Sequence, residues 1–208
     1  MIEVYYAPPS MYGRKVLAVL EEKGLDYTIK PMSFKTQDHL KPEYTKINPN
    51  GEIPAISDEG FTIYESTAII EYLEDEYPEP RLMPEDSEGR ARVRMIDDFC
   101  DLHAYPPVVK CFIKKVLRKE ELTDEDLAPV TEAFRRLGDY LGKKQCIAVE
   151  PFTLADCAVM PVFASAEGLG FKDKVIATEP MKKYFSRLQA RPGWKGASLF
   201  SLEAATAK

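Results

Sequence analysis

The first thirty-two residues leave few folds open. Residues 2–6, IEVYY, are β-branched and aromatic and run into Ala7-Pro8-Pro9. That reads as a short strand, stopped where prolines cannot donate to a ladder. Ser10 to Gly24 then carries Val16, Leu17, Val19 and Leu20 at helical spacing beside a polar Glu21-Glu22-Lys23. Ser10 is placed to cap the start of this helix and Gly24 its end. Asp26 to Met32 reads as a second strand. Strand, helix and strand in so short a space imply a right-handed crossover and parallel pairing.

Beyond Met32 the pattern changes. Residues 35–47 are polar and predict a short, irregular helix, and Asn48-Pro49-Asn50-Gly51 is a dense turn signal. Ile53-Pro54-Ala55-Ile56 reads as a strand beginning at a proline. Ser57-Asp58-Glu59-Gly60 makes a hairpin turn, and Phe61 to Tyr64 pairs back. Glu65 to Tyr77 is helical, with Ala68, Ile69, Tyr72 and Leu73 on one face. Residues 78–88, PEPRLMPEDSE, hold three prolines and four acidic residues and read as a linker. Past this segment the periodicity predicts helices over 89–118, 124–142, 153–168 and 179–190 and no strand, with Pro106-Pro107 kinking or breaking the first. The expected organisation is an α/β domain over 1–77 with a mixed βαβ-ββα sheet, a linker over 78–88 and an all-α domain over 89–208.

Composition narrows the function. A chain of 208 residues has room for two small domains. Its net charge of −6 gives no overall pull towards nucleic acid or an anionic membrane surface. No segment approaches the ~20 apolar residues of a membrane span, and MIEVYYAPPS lacks the basic start and apolar run of a secretory signal. Cys100, Cys111, Cys146 and Cys157 form neither a CxxC pair nor a zinc spacing. The expectation is a cytoplasmic protein with free thiols and no metal.

Three places offer chemistry. Ile53-Pro54 comes after a glycine turn at the head of a strand. At Tyr64-Glu65-Ser66-Thr67 a strand runs directly into a helix, whose N-terminus holds carboxylates. Ser66 adds a hydroxyl there and Glu65 an anion for an ammonium, so the pair suits an α-amino acid head group, although Glu-Ser also serves as an ordinary N-cap. Ser10 heads the first helix, where a hydroxyl can donate to a thiolate and the helix end lowers a nearby thiol pKa. Tyr12 is the rival hydroxyl.

The runs NPNGEIPAI and ESTAIIEYLEDEYP look like the signature of the glutathione transferases, and PPSMYGRKVLAVLEEKG at 8–24 resembles that family's first helix. The stretch Phe152 to Asp156 is similar to the family's capping box, in which Thr153 and Asp156 satisfy free N–H groups at a helix start. The resemblance implies a thioredoxin-like first domain with a cis Ile53-Pro54 bond, the backbone of Ile53 pairing with glutathione like an added strand. It implies Ser10 as the catalytic hydroxyl and Ser66 with Glu65 on the γ-glutamyl end. His39 and Lys41 match positions near the glycyl carboxylate, and of these Lys41 is the stronger on charge alone. By the same resemblance, Glu52, Ile53 and Pro54 also count among the glutathione-binding residues, but Glu52 departs from the glutamine or lysine of many relatives, and its carboxylate repels an anionic ligand unless it points to solvent or contacts the ligand amine. The corner that holds a redox CxxC in thioredoxins has no cysteine here, which argues against dithiol chemistry.

The implied reaction is thiolate attack on a small hydrophobic electrophile held between the domains. Met11, Tyr12, Tyr105, Pro106 and Phe112 are expected to line that second pocket. Glutathione is then a co-substrate. A homodimer is the family's usual state, and Arg90, Arg92, Arg94, Lys110, Lys114 and Lys115 read as a solvated or dimer-facing surface. Two other outcomes fit the same resemblance: a glutathione-dependent isomerase, dehalogenase, etherase or peroxidase, and a non-catalytic protein-binding module.

Overall fold

A computed structural model describes residues 1–200. Strand β1 (Ile2–Tyr6) alternates buried and half-buried residues, and β1 and β2 (Tyr27–Pro31) run parallel on either side of the crossover helix α1 (Met11–Lys23). Strands β3 (Ala55–Asp58) and β4 (Phe61–Tyr64) form the hairpin, and β3 pairs antiparallel with β1, so the mixed sheet has the order β2-β1-β3-β4. A 3-10 turn (Asp38–Leu40) and the short α2 (Pro42–Thr45) occupy the irregular segment, and α3 (Ser66–Glu76) closes the domain. This is the expected thioredoxin-like arrangement.

The segment over 78–88 is more than a tether. Leu82 and Met83 are buried, and their N–H groups donate to the Glu74 carboxylate at 3.0 and 2.9 Å. Glu74 in turn pairs with buried Lys23 at 2.7 Å. The Leu82 carbonyl accepts from Leu154 N–H at 2.8 Å, which ties the strap to the second domain. Asp86 caps α4 (Ser87–Phe99), which starts two residues earlier than its periodicity predicts.

The second half is helical throughout the described residues. From α4 the helix widens into a π turn (Cys100–Ala104), continues as α5 (Tyr105–Phe112) and ends in a second π turn (Ile113–Leu117). Pro106 and Pro107 therefore do not break the helix. A proline lacks an N–H and crowds the carbonyl four residues back, and the wider turn upstream accommodates both defects. Helices α6 (Asp124–Leu141), α7 (Leu154–Gly168) and α9 (Glu179–Gln189) match their periodicity. The short α8 (Lys172–Val175) and α10 (Gly193–Ala197) carry too few residues to show one. None of the helices among the described residues is long and apolar enough to cross a membrane.

Every side of α7 is buried from Leu154 to Ala166, as expected of a helix that is apolar all round. Its start is organised by Asp156, whose carboxylate accepts from the N–H groups of Ile147 and Thr153, both at 2.9 Å, and from the Tyr184 hydroxyl at 2.6 Å. Helix α1 packs against α3 of the first half and against α7 and α10 of the second. Gly196 permits this approach: a Cβ there would lie 2.5 Å from the backbone of Leu17. One apolar core consequently runs through both domains, from Val4 and Leu17 to Phe163.

Candidate active site

Ser10 sits at the N-cap of α1. Its N–H donates to the Ala7 carbonyl at 2.8 Å, and its Oγ accepts from Gly13 N–H at 3.1 Å. The hydroxyl proton is left with only the Ile53 carbonyl, at a long 3.4 Å. No acidic residue lies in the first turn of α1, so nothing on the helix offsets its positive end.

Ile53 is fixed from below. The Ile53-Pro54 bond is cis. Buried Asn48 donates its Nδ2 to the Glu52 carbonyl at 2.7 Å, and the Tyr44 hydroxyl donates to the same oxygen. Gly51 takes φ +64°, and a Cβ there would meet the His39 carbonyl at 3.2 Å, so this turn needs glycine. A small apolar cluster of Ala7, Met32, Tyr44, Ile53 and Ala55 packs beneath. The Glu52 side chain is exposed at the edge of the cleft.

The third element is the start of α3. Glu65 has φ +69°, an uncommon conformation for a residue with a Cβ and one concentrated at functional sites. The Glu65 side chain does not cap the helix; its carboxylate instead accepts from Asn50 Nδ2 at 3.2 Å. With no acid in the first turn, this second helix end is open towards the cleft, and buried Ser66 lies at its head. Behind it, Thr67 donates to Asp97 at 2.6 Å, and buried Lys15 reaches Asp97 at 2.8 Å and Asp101 at 2.9 Å. Burial pulls the Lys15 pKa down, but the two carboxylates outweigh it and hold the ammonium above its ordinary value. This network joins α1, α3 and α4 across the domain boundary.

Ser10, Ile53, Pro54, Glu65, Ser66 and His39 all face one cleft of about 910 Å³. His39 packs edge-on against Phe34 at 5.3 Å, and its Nδ1 is buried with no hydrogen-bond partner among the described residues. Lys41 does not line this cleft. It is exposed and ion-paired with Asp38 one turn back, so proximity in sequence to His39 does not bring it to the site.

The opposite wall comes from the long helix. Met11, Tyr12 and Phe112 line the cleft, together with Leu102, Val109, Ile113 and Leu117, which the periodicity did not single out. Tyr105 is corrected: it is fully buried, donates to the Ala158 carbonyl at 2.6 Å and supports Tyr12 edge-on from behind. Pro106 is corrected too, since it opens on a separate groove with Lys110 and Pro129. Both differences trace to the π turn over Cys100–Ala104, just upstream of these residues, where the sequence predicted a kink at the prolines instead. Each π turn takes in more residues than an α turn and rotates everything after it. Tyr12 itself donates to the Asp101 carbonyl at 3.2 Å. Burial, helped by Asp101, pushes its pKa up, so its phenol holds its proton more firmly than usual.

Known proteins share this arrangement. The family model described as the glutathione S-transferase N-terminal domain matches residues 4–81, and that of the C-terminal domain matches residues 99–192. A maleylacetoacetate isomerase of Rattus norvegicus is 34% identical over 158 residues, covering 74% of this chain and 72% of that one. Glutathione S-transferase D7 of Drosophila melanogaster is 31% identical over 200 residues, covering 93% and 87%. Among solved structures, a Nilaparvata lugens delta-class glutathione transferase superposes with a TM-score of 0.84 at 29% identity, over 99% of this chain and 95% of that one.

Proposed function

The chain belongs to the glutathione S-transferase family and is a glutathione transferase, and from that premise we propose that Ser10 activates the thiol of glutathione lying across the first domain. The observation that carries this reading is the pair of open helix ends on one cleft. The start of α3 has neither a side-chain cap nor an acid in its first turn, and the start of α1 presents a hydroxyl whose proton is weakly engaged.

The γ-glutamyl carboxylate of glutathione takes the N–H groups at the start of α3 with the Ser66 hydroxyl, and its ammonium takes Glu65. The N–H and carbonyl of Ile53 pair with the cysteinyl backbone. The glycyl carboxylate takes His39 rather than Lys41. The sulfur then lies at the start of α1, where the Ser10 hydroxyl donates to the thiolate. One hydrogen bond to a charged group, worth ~1.5–3 kcal/mol, lowers the thiol pKa by about one to two units. The electrophile sits against Val109, Phe112 and Ile113, within reach of the sulfur, and the protein's further contribution is to hold the two together. We place the domain division in the strap over 78–88. Cytoplasmic detoxification by a homodimer is the physiological setting we favour.

A second outcome at the same site is supported by the name of the Rattus norvegicus relative. In isomerisation the thiolate adds to a double bond and leaves again, so glutathione is regenerated. Retention on immobilised glutathione, and then conjugation of chlorodinitrobenzene, tests the main reading. Retention with product formation supports it, and failure of both refutes it. Turnover that leaves the glutathione concentration unchanged assigns the isomerase outcome.

A further inference from the structure

Helix α1 carries a buried cation that has no counter-ion among the described residues. Of the three buried cations among the described residues, Lys15 pairs with Asp97 and Asp101, and Lys23 pairs with Glu74. Arg14, only 1% exposed, has neutral partners among the described residues. Its Nη1 donates to the Ala197 carbonyl at 3.1 Å and its Nη2 to the Ser165 hydroxyl at 2.8 Å. The Phe200 ring centre lies 4.3 Å from the guanidinium carbon. The Nε is buried with no hydrogen-bond partner among the described residues. Burial draws the Arg14 pKa down to about 10, which still leaves it cationic at neutral pH.

A buried charge without an opposite charge is costly to hold, and an orphaned buried donor calls for an explanation. The position supplies one. Arg14 and Ser165 both line the cleft, as do the apolar residues Val108, Val109, Phe112 and Ile113. Arg14 stands one helical turn from Ser10, a separation of about 5–6 Å between Cβ atoms. A group bound at Arg14 is thus within one small molecule's length of a sulfur at Ser10. The carboxylates on the same cleft do not neutralise it: Asp101 is held by Lys15, Glu65 by Asn50, and Glu52 is exposed at the edge.

We propose that Arg14 is a specificity residue for the second substrate and selects electrophiles that carry a carboxylate. The guanidinium fork and the Ser165 hydroxyl receive that carboxylate, while Val109 and Phe112 hold the apolar body. This rests on the cleft being the glutathione transferase site proposed above. It goes beyond that reading by giving the electrophile a charge.

Competitive inhibition of chlorodinitrobenzene conjugation tests it with two inert analogues of closely matched shape, dinitrobenzoate and its neutral amide dinitrobenzamide. The expected result is that dinitrobenzoate inhibits about tenfold more tightly, as one charge-assisted hydrogen bond supplies. The preference should change less than about twofold when sodium chloride rises from about 0.05 M to about 0.5 M, because a buried pair is poorly screened. R14Q should bring the ratio of the two inhibition constants to about one, whatever happens to overall turnover. Equal inhibition of the wild-type enzyme overturns the proposal, as does a preference that salt abolishes or that R14Q retains. If R14Q does not fold, R14K replaces it: a single ammonium cannot reproduce the fork, so the ratio should fall several-fold, and an unchanged ratio overturns the proposal. R14Q that raises only the glutathione thiol pKa makes the thiolate the missing anion and likewise overturns it. Conjugation of chlorodinitrobenzene by the wild-type enzyme reports separately on the function reading, so the two failures are distinguishable.

Discussion

Replacing Ser10 by alanine separates a structural cap from a catalytic hydroxyl. The side chain accepts one bond, from Gly13 N–H at 3.1 Å, and losing an N-cap costs about 1 kcal/mol of stability. In a chain of this size that lowers Tm by about 2–4 °C. The long 3.4 Å contact to the Ile53 carbonyl adds little. If the same hydroxyl donates to the bound thiolate, its loss removes ~1.5–3 kcal/mol from the charged form and raises the thiol pKa by about one to two units. At a pH below that pKa, kcat/KM falls by about ten- to a hundredfold. The assay is thiolate ultraviolet absorbance of the glutathione complex against pH, beside the pH profile of kcat/KM. S10D gives the control. Aspartate caps as well as serine, so stability stays close to that of the wild type. Its carboxylate faces the thiolate, so the thiol pKa rises further than in S10A. An S10A complex with the wild-type thiol pKa refutes the reasoning, because the cap alone would then explain Ser10.

Four other outcomes are expected. Y12F should keep kcat/KM within about threefold of wild type with an unshifted pH profile, since the phenol is committed to the Asp101 carbonyl; a collapse of activity would return the role to Tyr12. H39A should raise the KM for glutathione about tenfold and leave kcat nearly unchanged, and K41A should change neither; steady-state kinetics at varied glutathione reads both. K15M should cost about 3–5 kcal/mol, read from the urea midpoint, because it leaves Asp97 and Asp101 together without their cation; a cost below about 1 kcal/mol would show the network is not a lock. G196A places a methyl against the Leu17 backbone and should cost about 3 kcal/mol, or roughly 6–12 °C of Tm by calorimetry.

The sheet was legible because its signals are local. Prolines stop β1, Gly24 ends α1 in the left-handed conformation, and Asn48-Pro49-Asn50-Gly51 bends the chain into Ile53. The capping-box residues marked the start of α7 for the same reason. The second wall was not legible. Tyr105 and Pro106 were expected to face the cleft, but the π turn over Cys100–Ala104 rotates α5, and Leu102, Val109 and Ile113 take that face instead. A π turn leaves the apolar period nearly intact over a few residues, so periodicity cannot register it.

That His39 lines the cleft and Lys41 does not has a similar origin. Charge favoured Lys41, yet its nearest carboxylate is Asp38 on its own turn, and that local pair takes it away from the cleft. Sequence by itself determined the order of strands and helices, the hydroxyl at the head of α1 and the glycine turn beneath Ile53, because each depends on neighbours within a few residues. Tertiary structure alone decided which side chains share the cleft. It alone placed α1 at the interface, burying Lys15 with its carboxylates and Arg14 with none among the described residues, because such burial depends on partners more than eighty residues away.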